Sequence, residues 1–318
     1  NNRKKFYAIS AVLVGASIVA LTIWGLNLSI DFKGGAIVEI SYPDGRPAVA
    51  EIEKNLEKLN LGEHSIRPVG ETGFLIRTRE LEGLERADLL KALSDNGAKK
   101  ITEERFDSVG PLLGKEAMRK SLFSIIFVII CIVLFITFAF RGVSEPVASW
   151  KYGLITVLAL VHDVLIPAGV FAVLGHFQGV EVDTLFVTAL LVVLGFSVHD
   201  TIVVFDRVRE NLKVNRETRG KKPFEQIVGE SISQTFVRSI NTSFTTILVL
   251  IVLFLVGADT TKLFSLALII GITAGTYSSI FIGSTLLVTA EKLQKKNKIP
   301  RPDVHRDTPF YKGGFIGS

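Results

Sequence analysis

The residues best suited to do chemistry lie in the stretch Gly195–Asn211 (GFSVHDTIVVFDRVREN), which begins inside an apolar run and ends in a cluster of charges. His199 and Asp200 fall within the apolar part. An aspartate inside a hydrocarbon-spanning helix costs roughly 2.5–3.5 kcal/mol on insertion scales, so it needs a partner or a task. A buried carboxylate whose partner can move away is able to take up a proton. We therefore interpret Asp200 as a candidate proton-carrying group.

Other charges inside apolar runs are candidate partners of this acid. Arg238 lies near the start of a later run, on the same predicted side of the membrane as the end of the run that holds Asp200. The sequence predicts that these two side chains approach each other, either for proton passage or as a static structural pair. His162 and Asp163 lie near the middle of a third run. With His199 they complete the candidate relay, although adjacent helical residues point about 100° apart and only one of each His-Asp pair is expected to face a shared cavity.

Two helix faces add to a predicted polar route, since residues three, four and seven apart share a face. The first face is polar and consists of Arg238, Asn241, Thr242 and Thr245. The second has small residues that permit close helix approach and consists of Gly271, Gly275, Ser278 and Ile282. Pro167 cannot donate to the carbonyl of Asp163 four residues earlier, which predicts a kinkable point beside that acid.

The composition requires that apolar residues be segregated along the chain. Of 318 residues, 48% are hydrophobic, yet 21% are charged. About 20 apolar residues form a helix that crosses the hydrocarbon core, and six such runs predict a polytopic α-helical membrane protein. The predicted spans are Phe6–Leu28, Leu122–Phe140, Tyr152–Leu174, Thr184–Phe205, Phe236–Val256 and Leu263–Thr289. The first run is longer than the apolar part of a typical signal peptide, so we expect it to remain uncleaved.

The distribution of Lys and Arg predicts the orientation of the spans. Segments 1–5, 141–151, 206–224 and the tail from residue 291 carry nineteen Lys/Arg, whereas the loops 176–183 and 257–262 carry one. Because positive residues favour the cytoplasmic side, both termini are expected to be cytoplasmic and residues 29–120 extracytoplasmic. The predicted division is 1–28 (first span), 29–120 (outer domain), 121–290 (spans two to six, with the basic loop 206–224) and 291–318 (tail).

Residues 29–120 show the pattern of a small α+β domain. Alternating and helical hydrophobic periods predict the order βαββαβ, which is typical of a ferredoxin-like sandwich. The predicted elements are the strand Ala36–Tyr42, the helix Pro47–Leu59, the strands Ser65–Val69 and Gly73–Arg79, the helix Glu85–Leu93 and the strand Lys99–Asp107. No catalytic constellation is recognisable among them.

The chain shows no pattern typical of an enzyme. Cys131 is its single cysteine, and we find no metal-ligand cluster, no nucleotide-binding loop and no nucleophile–base arrangement. We expect no cofactor, no metal and no nucleic-acid partner. The energy source is then expected to be an ion gradient, carried by either H⁺ or Na⁺.

Several spaced motifs resemble the SecF family, a membrane subunit of the SecDF preprotein translocase accessory complex within the RND superfamily. The resemblance covers nearly the whole chain, beginning with Asp31, Phe32, Lys33, Gly34 and Gly35 after the first span. The further motifs are Ser108–Pro111, His162–Val164, Gly195–Asn211, Arg238 with Ser243–Thr246, and Gly275–Ser279. One departure is His199, where the family often has Asn.

The resemblance implies a role in bacterial protein export. It implies a SecD-like membrane partner, a SecYEG-type translocon, a YidC-type insertase, a preprotein substrate and membrane lipid around the spans. It further implies that Asp200 and Arg238 serve proton passage that drives movement of the outer domain. Asp31, Phe32, Gly34 and Gly35 are then expected to form either a hinge or a simple turn at the membrane surface. Two alternatives stay open, namely an RND-type exporter of small molecules or lipids, and a passive scaffold of a translocation complex.

Overall fold

The computed structural model describes residues 3–62, 64–141, 147–220 and 222–298. Within them, six helical segments are long and apolar enough to cross a membrane, which confirms the predicted fold class. The first five spans are α1 (Arg3–Ile23), α5 (Pro111–Ala139), α6 (Ser149–Gln178), α7 (Thr184–Glu217) and α8 (Phe224–Val256). The sixth is built from α9 (Asp259–Tyr277), a π-helical segment (Ser278–Gly283) and α10 (Ser284–Lys298).

The spans form a central group and a peripheral group. Helices α6, α7 and the α9–α10 span bury about half or more of their membrane-spanning residues, whereas α1, α5 and α8 bury only a small share. The peripheral helices therefore present broad apolar faces outward, as expected of surfaces that meet lipid or another membrane helix. Asp163 of α6 and Asp200 of α7 both belong to this central group, and both are buried.

The segment between α1 and α5 forms the predicted ferredoxin-like sandwich. A short helix α2 (Ile30–Lys33) precedes the strands and helices β1 (Gly35–Ser41), α3 (Val49–Leu56), β2 (Ser65–Val69), β3 (Gly73–Thr78), α4 (Glu85–Leu93) and β4 (Thr102–Val109). The sheet is antiparallel with strand order β2-β3-β1-β4. Its core is made by fully buried side chains of sheet and helices, including Val38, Ile40, Leu56, Phe74, Ile76 and Leu89.

The helices extend well beyond the stretches that the apolar pattern marked. Helix α5 begins at Pro111, α8 begins at Phe224, and α7 continues to Glu217, so most of the predicted polar loop 206–224 is helical. The reason is that hydropathy detects only the part inside the membrane. Outside it, pairs such as Arg207–Glu210, three residues apart, support the helix through its charged faces. Residues 142–146 and the predicted tail beyond residue 298 lie outside the described residues.

The first span is shorter than predicted, and the sixth is irregular. Helix α1 ends at Ile23, and Gly25 follows with φ +66°, a conformation that favours glycine. Leu28, predicted as helical, instead pairs as a parallel bridge with Val182. The π segment in the sixth span has no counterpart in a hydropathy pattern, and such segments occur frequently at functional sites.

Both ends of the described chain lie at the end of the bundle opposite the sandwich. Arg3, at the start of α1, forms an ion pair with Glu225, at the start of α8. Lys292, in the middle of α10, donates to the same carboxylate at 2.7 Å. These exposed pairs contribute little stability individually, but they show that α1, α8 and α10 meet at this end of the bundle.

Candidate functional site

Asp200 is buried between three spans and held by two serine hydroxyls. It lies on α7 and is 6% exposed. Ser239 Oγ of α8 donates to Asp200 Oδ1 at 2.5 Å, and Ser279 Oγ of the π segment donates to Asp200 Oδ2. Each carboxylate oxygen thus has one neutral donor. Hydroxyls stabilise a charged carboxylate less than a cation does, and they also accept hydrogen bonds from a protonated one.

Asp163 on α6 has a similar environment and is fully buried. Ser278 Oγ donates to Asp163 Oδ2 at 2.8 Å, and Ser197 Oγ of α7 donates to the same oxygen. The other oxygen lies 2.8 Å from His162 Nδ1. His162 Nε2 in turn lies 3.2 Å from Ser10 Oγ of α1. A hydrogen-bonded chain therefore runs from the first span through the imidazole to this carboxylate.

The two carboxylates are linked through the same pair of helices. Ser278 and Ser279 are neighbours on the π segment, yet one donates to Asp163 and the other to Asp200. On α7, Ser197 contacts Asp163 and lies one turn before Asp200 itself. A change in the winding of the π segment would consequently alter the hydrogen bonding of both acids together.

The predicted pairing of Asp200 with Arg238 is wrong for this structure. Arg238 is exposed on α8, and its neighbour Ser239 is the residue that contacts Asp200. Successive helical residues point about 100° apart, so only one of the two can face α7. The contact to Asp200 comes instead from the position next to Arg238 along α8. Together with Asn241, Thr242 and Thr245, Arg238 forms the predicted stripe, which is exposed along its length.

The two histidines differ in their surroundings. His162 is buried and joined to Asp163, whereas His199 is exposed on α7 and lies away from both acids. Only one member of each His-Asp pair was expected to face a shared cavity, and this expectation holds for His199 and Asp200. It is wrong for His162 and Asp163, because the imidazole bends back to contact the neighbouring carboxylate.

The described residues surround the two acids with hydroxyl groups and one imidazole, and with no lysine or arginine. An ionised carboxylate without a cation partner is costly in a low-dielectric interior. The arrangement therefore suits groups that exchange a proton rather than hold a permanent charge. No cluster of three or more His, Cys, Asp or Glu suited to a metal ion occurs within the part of the chain that the structure describes.

Sequence reasoning missed most of the hydroxyl partners. Ser10 and Ser239 were not among the candidates. Ser197, Ser278 and Ser279 lay within stretches that were singled out, but no contact with an acid was predicted for them. Serines in membrane helices frequently bond the carbonyl of their own preceding turn, as Ser243 does with Ser239 O at 2.9 Å. The residue type alone therefore does not separate a helix-bonding serine from one that holds a carboxylate.

Asp31 connects the first span to the helix that carries Asp200. Its Oδ2 accepts from Thr184 N at 3.0 Å and from Thr184 Oγ1 at 2.9 Å. Asp183 caps the same helix end, accepting from Phe186 N at 2.8 Å. Burial, and then the charge of Asp31, raise the pKa of Asp183. Since acidic groups stabilise helix N-termini, residues after α1 fix the N-terminal end of α7.

Phe32, Gly34 and Gly35 join this connection to the sandwich and to α5. Phe32 is buried in the core cluster shared by α6, α7 and α9. A Cβ on Gly34 (φ +80°) would lie 2.8 Å from Pro111 Cα, and one on Gly35 (φ +127°) would lie 2.8 Å from Thr78 O. Only glycine fits at both positions, because backbone atoms approach too closely for any side chain. The segment is thus a tight junction between α1, α5, α7 and the sheet.

We expect Gly34→Ala to destabilise the chain strongly. The left-handed backbone alone costs about 1–3 kcal/mol for a residue with a side chain, and the clash with Pro111 adds to this because backbone cannot move aside. Gly45→Ala is the matched control, since Gly45 also has positive φ but no atom within 4 Å of an added Cβ. Thermal unfolding in detergent should show the larger loss for Gly34→Ala. Equal losses would contradict the close-packing argument.

Comparisons with known proteins agree with these features. The family "Protein export membrane protein SecD/SecF, C-terminal" matches residues 89–293, and the "SecD/SecF GG Motif" matches residues 19–42. The protein translocase subunit SecF of Thermobaculum terrenum is 43% identical over 300 residues, covering 91% of this chain and 92% of the relative. The SecF subunit of Anaerolinea thermophila is 36% identical over 301 residues, covering 94% and 96%.

A solved structure also matches closely. The crystal structure of SecDF from Thermus thermophilus, described as a translocon-associated membrane protein, aligns with a TM-score of 0.76 and 31% identity. The match covers 92% of this chain but only 38% of that longer chain. The agreement of family models, full-length relatives and fold is sufficient to assign the family: the chain belongs to the SecF family of bacterial multi-pass membrane protein translocase subunits.

Proposed function

We propose that this chain, together with a SecD-like membrane subunit, uses the proton gradient to promote the translocation of preproteins across the cytoplasmic membrane. Asp200 takes up and releases the proton. Asp163 and His162 form a second proton-binding site on the proton route, connected to Asp200 through the neighbouring serines of the π segment. Both termini are cytoplasmic, and the sandwich works on the outer side.

One observation supports this proposal above the others. Asp200 and Asp163 are both at most 6% exposed, and their contacts are serine hydroxyls and one imidazole rather than a lysine or arginine. A structural ion pair would place a cation against the carboxylate. Hydroxyl groups suit a carboxyl group that alternates between charged and neutral forms, because they donate to the ionised form and accept from the protonated form.

Arg238 has its role at the surface that meets the partner. Its stripe, with Asn241, Thr242 and Thr245, is exposed within an otherwise apolar span, and a polar stripe is costly against lipid. The SecDF relative contains more than this chain in a single polypeptide, which supports a SecD-like subunit as the cover for this face. Arg238 then lies beside the proton route and acts on a proton or an acid supplied across the interface.

Movement reaches the outer domain through the junction around Asp31. Because Asp31 caps α7 and α2 leads directly into β1, a shift of α7 on protonation of Asp200 is transmitted to the sheet. The translocon of the SecYEG type, a YidC-type insertase and the preprotein are the proposed partners on that side. His199 faces away from the acids and lies on the surface of α7 rather than in the route.

The test is preprotein translocation into membrane vesicles that hold this chain with its SecD partner, measured with and without an imposed proton gradient. The proposal predicts stimulation by a proton gradient but not by a sodium gradient alone. Arg238→Met should remove this stimulation, whereas Arg209→Met, an exposed arginine that pairs with Asp206 at 3.7 Å, should retain it. Stimulation that is independent of any ion gradient would overturn the proposal and favour a passive scaffold.

A further inference from the structure

A basic crevice of about 490 Å³ lies between the sandwich and the membrane bundle. Its wall contains Lys33 from α2, Arg67 from β2, Arg77 from β3, and Arg79 just after β3. Glu181, from the loop between α6 and α7, is the single carboxylate in this lining. Nothing in the proton route uses these residues, so their positive charge calls for an explanation of its own.

Arg77 is the most constrained member of the crevice. It pairs with Glu181, yet its Nε is buried and has no hydrogen-bond partner. Burial, and then the nearby charge of Arg67, lower the pKa of Arg77 to about 10. Two guanidinium groups that repel each other, with a single carboxylate in the lining, favour the binding of an anion.

Two of the other three cations leave donors available. Arg67 Nη1 donates to Gly179 O at 3.2 Å. This bond orients the guanidinium group and leaves its other nitrogens available to a ligand. Lys33 is exposed at the mouth. Arg79, by contrast, is engaged by Glu85 through both terminal nitrogens and serves as wall rather than ligand. The binding groups are therefore Lys33, Arg67 and Arg77.

The crevice lies at the level where lipid headgroups are expected. A neighbouring crevice of about 700 Å³ shares Lys33 and Arg67 and is lined by Trp24 and His176. The Trp24 and His176 rings stack at 5.1 Å, just beyond the end of α1 and near the end of α6. Aromatic side chains at the ends of spans mark the membrane–water interface, and basic pockets beside spans suit anionic headgroups.

We infer that this crevice binds a phosphate group, and that the phosphate belongs to the headgroup of an anionic phospholipid in the leaflet next to the sandwich. The guanidinium forks of Arg67 and Arg77 hold the phosphate oxygens, and Lys33 closes the mouth. A lipid bound there rests against both the sheet and the α6–α7 loop. It would therefore support the junction through which the sandwich is joined to the bundle.

The probe is Trp24, because the chain has only two tryptophans and Trp150→Phe leaves Trp24 alone. The full chain in that background is reconstituted in phosphatidylcholine vesicles with a minor fraction of brominated phosphatidylglycerol or brominated phosphatidylcholine. Preferential quenching of Trp24 by the anionic lipid is expected. Lys33→Gln with Arg67→Gln should weaken the apparent affinity roughly 25-fold, at about fivefold per charge near the membrane surface.

Controls separate the site from general charge and from free phosphate. Lys58→Gln removes an exposed charge elsewhere on the sandwich and should keep the preference of Trp24 for the anionic lipid. The charge-conserving pair Lys33→Arg with Arg67→Lys should keep most of this preference. Added inorganic phosphate should not compete. Competition by inorganic phosphate without any lipid preference would overturn the headgroup assignment, and equal quenching by both lipids with no phosphate effect would overturn the anion site itself.

Discussion

Asp200→Asn is expected to abolish the gradient-dependent part of preprotein translocation while the basal part remains. Asparagine has nearly the same shape and keeps an oxygen for one of the two serines, Ser239 or Ser279, but it cannot gain or lose a proton. About 2.3 kcal/mol per charge is available for each 100 mV of membrane potential. Without the Asp200 carboxyl group to carry the proton, this energy is no longer coupled to translocation. The measurement compares translocation rates at imposed and collapsed gradients.

Asp206→Asn is the matched control for this prediction. Asp206 lies on the same helix but is exposed and pairs with Arg209. It should retain full stimulation, because an exposed pair contributes little and is not on the route. If Asp200→Asn assembles normally and still responds fully to the gradient, Asp200 is not the proton carrier.

Gly275→Leu is expected to lower both the stability of the chain and its gradient-dependent function. A Cβ at Gly275 would lie 3.2 Å from Ser197 Cβ and 3.6 Å from Asp163 Oδ2. Overpacking of this kind costs about 1–3 kcal/mol. Displacing Ser197 from the carboxylate adds about 1.5–3 kcal/mol for a hydrogen bond to a charged group. Thermal unfolding in detergent and gradient-dependent translocation should both fall.

Gly195→Leu tests whether this loss comes from the contact or from glycine replacement in general. Gly195 is exposed on α7, and an added Cβ there meets no atom within 4 Å. The isolated chain should tolerate this change in detergent and gain slightly in helix propensity. A loss of stability similar to that of Gly275→Leu would show that the α7–α9 contact is not the cause.

The sequence predicted the architecture well because its main signals are strong. Apolar runs of about 20 residues define the spans, and alternating patterns define the sandwich, whose helix Glu85–Leu93 has the predicted bounds. The ends of α5, α7 and α8 could not be predicted in the same way. Their extensions carry charges, such as Arg207 and Glu210, and hydropathy does not distinguish a charged helix from a loop.

The sequence identified the two acids of the site but not the residues that contact them. The acids Asp163 and Asp200 were recognised because a charge in an apolar run is costly, and that signal is independent of packing. Which neighbour satisfies each acid depends on helix rotation, and a rotation of one residue exchanges Arg238 for Ser239. The π segment alters rotation within the sixth span, so Ser278 and Ser279 reach different acids in a way that a regular 3.6-residue period does not indicate.

Infrared difference spectroscopy tests the central claim most directly, because it detects protonation of a carboxyl group rather than its consequences. The chain is reconstituted with its SecD partner, and spectra are recorded across a pH step for the parent and for Asp200→Asn. We expect the parent to show the stretching band of protonated carboxyl groups. One component of this band should be lost in Asp200→Asn and retained in Asp206→Asn. An identical carboxyl band in the parent and in Asp200→Asn would contradict the account.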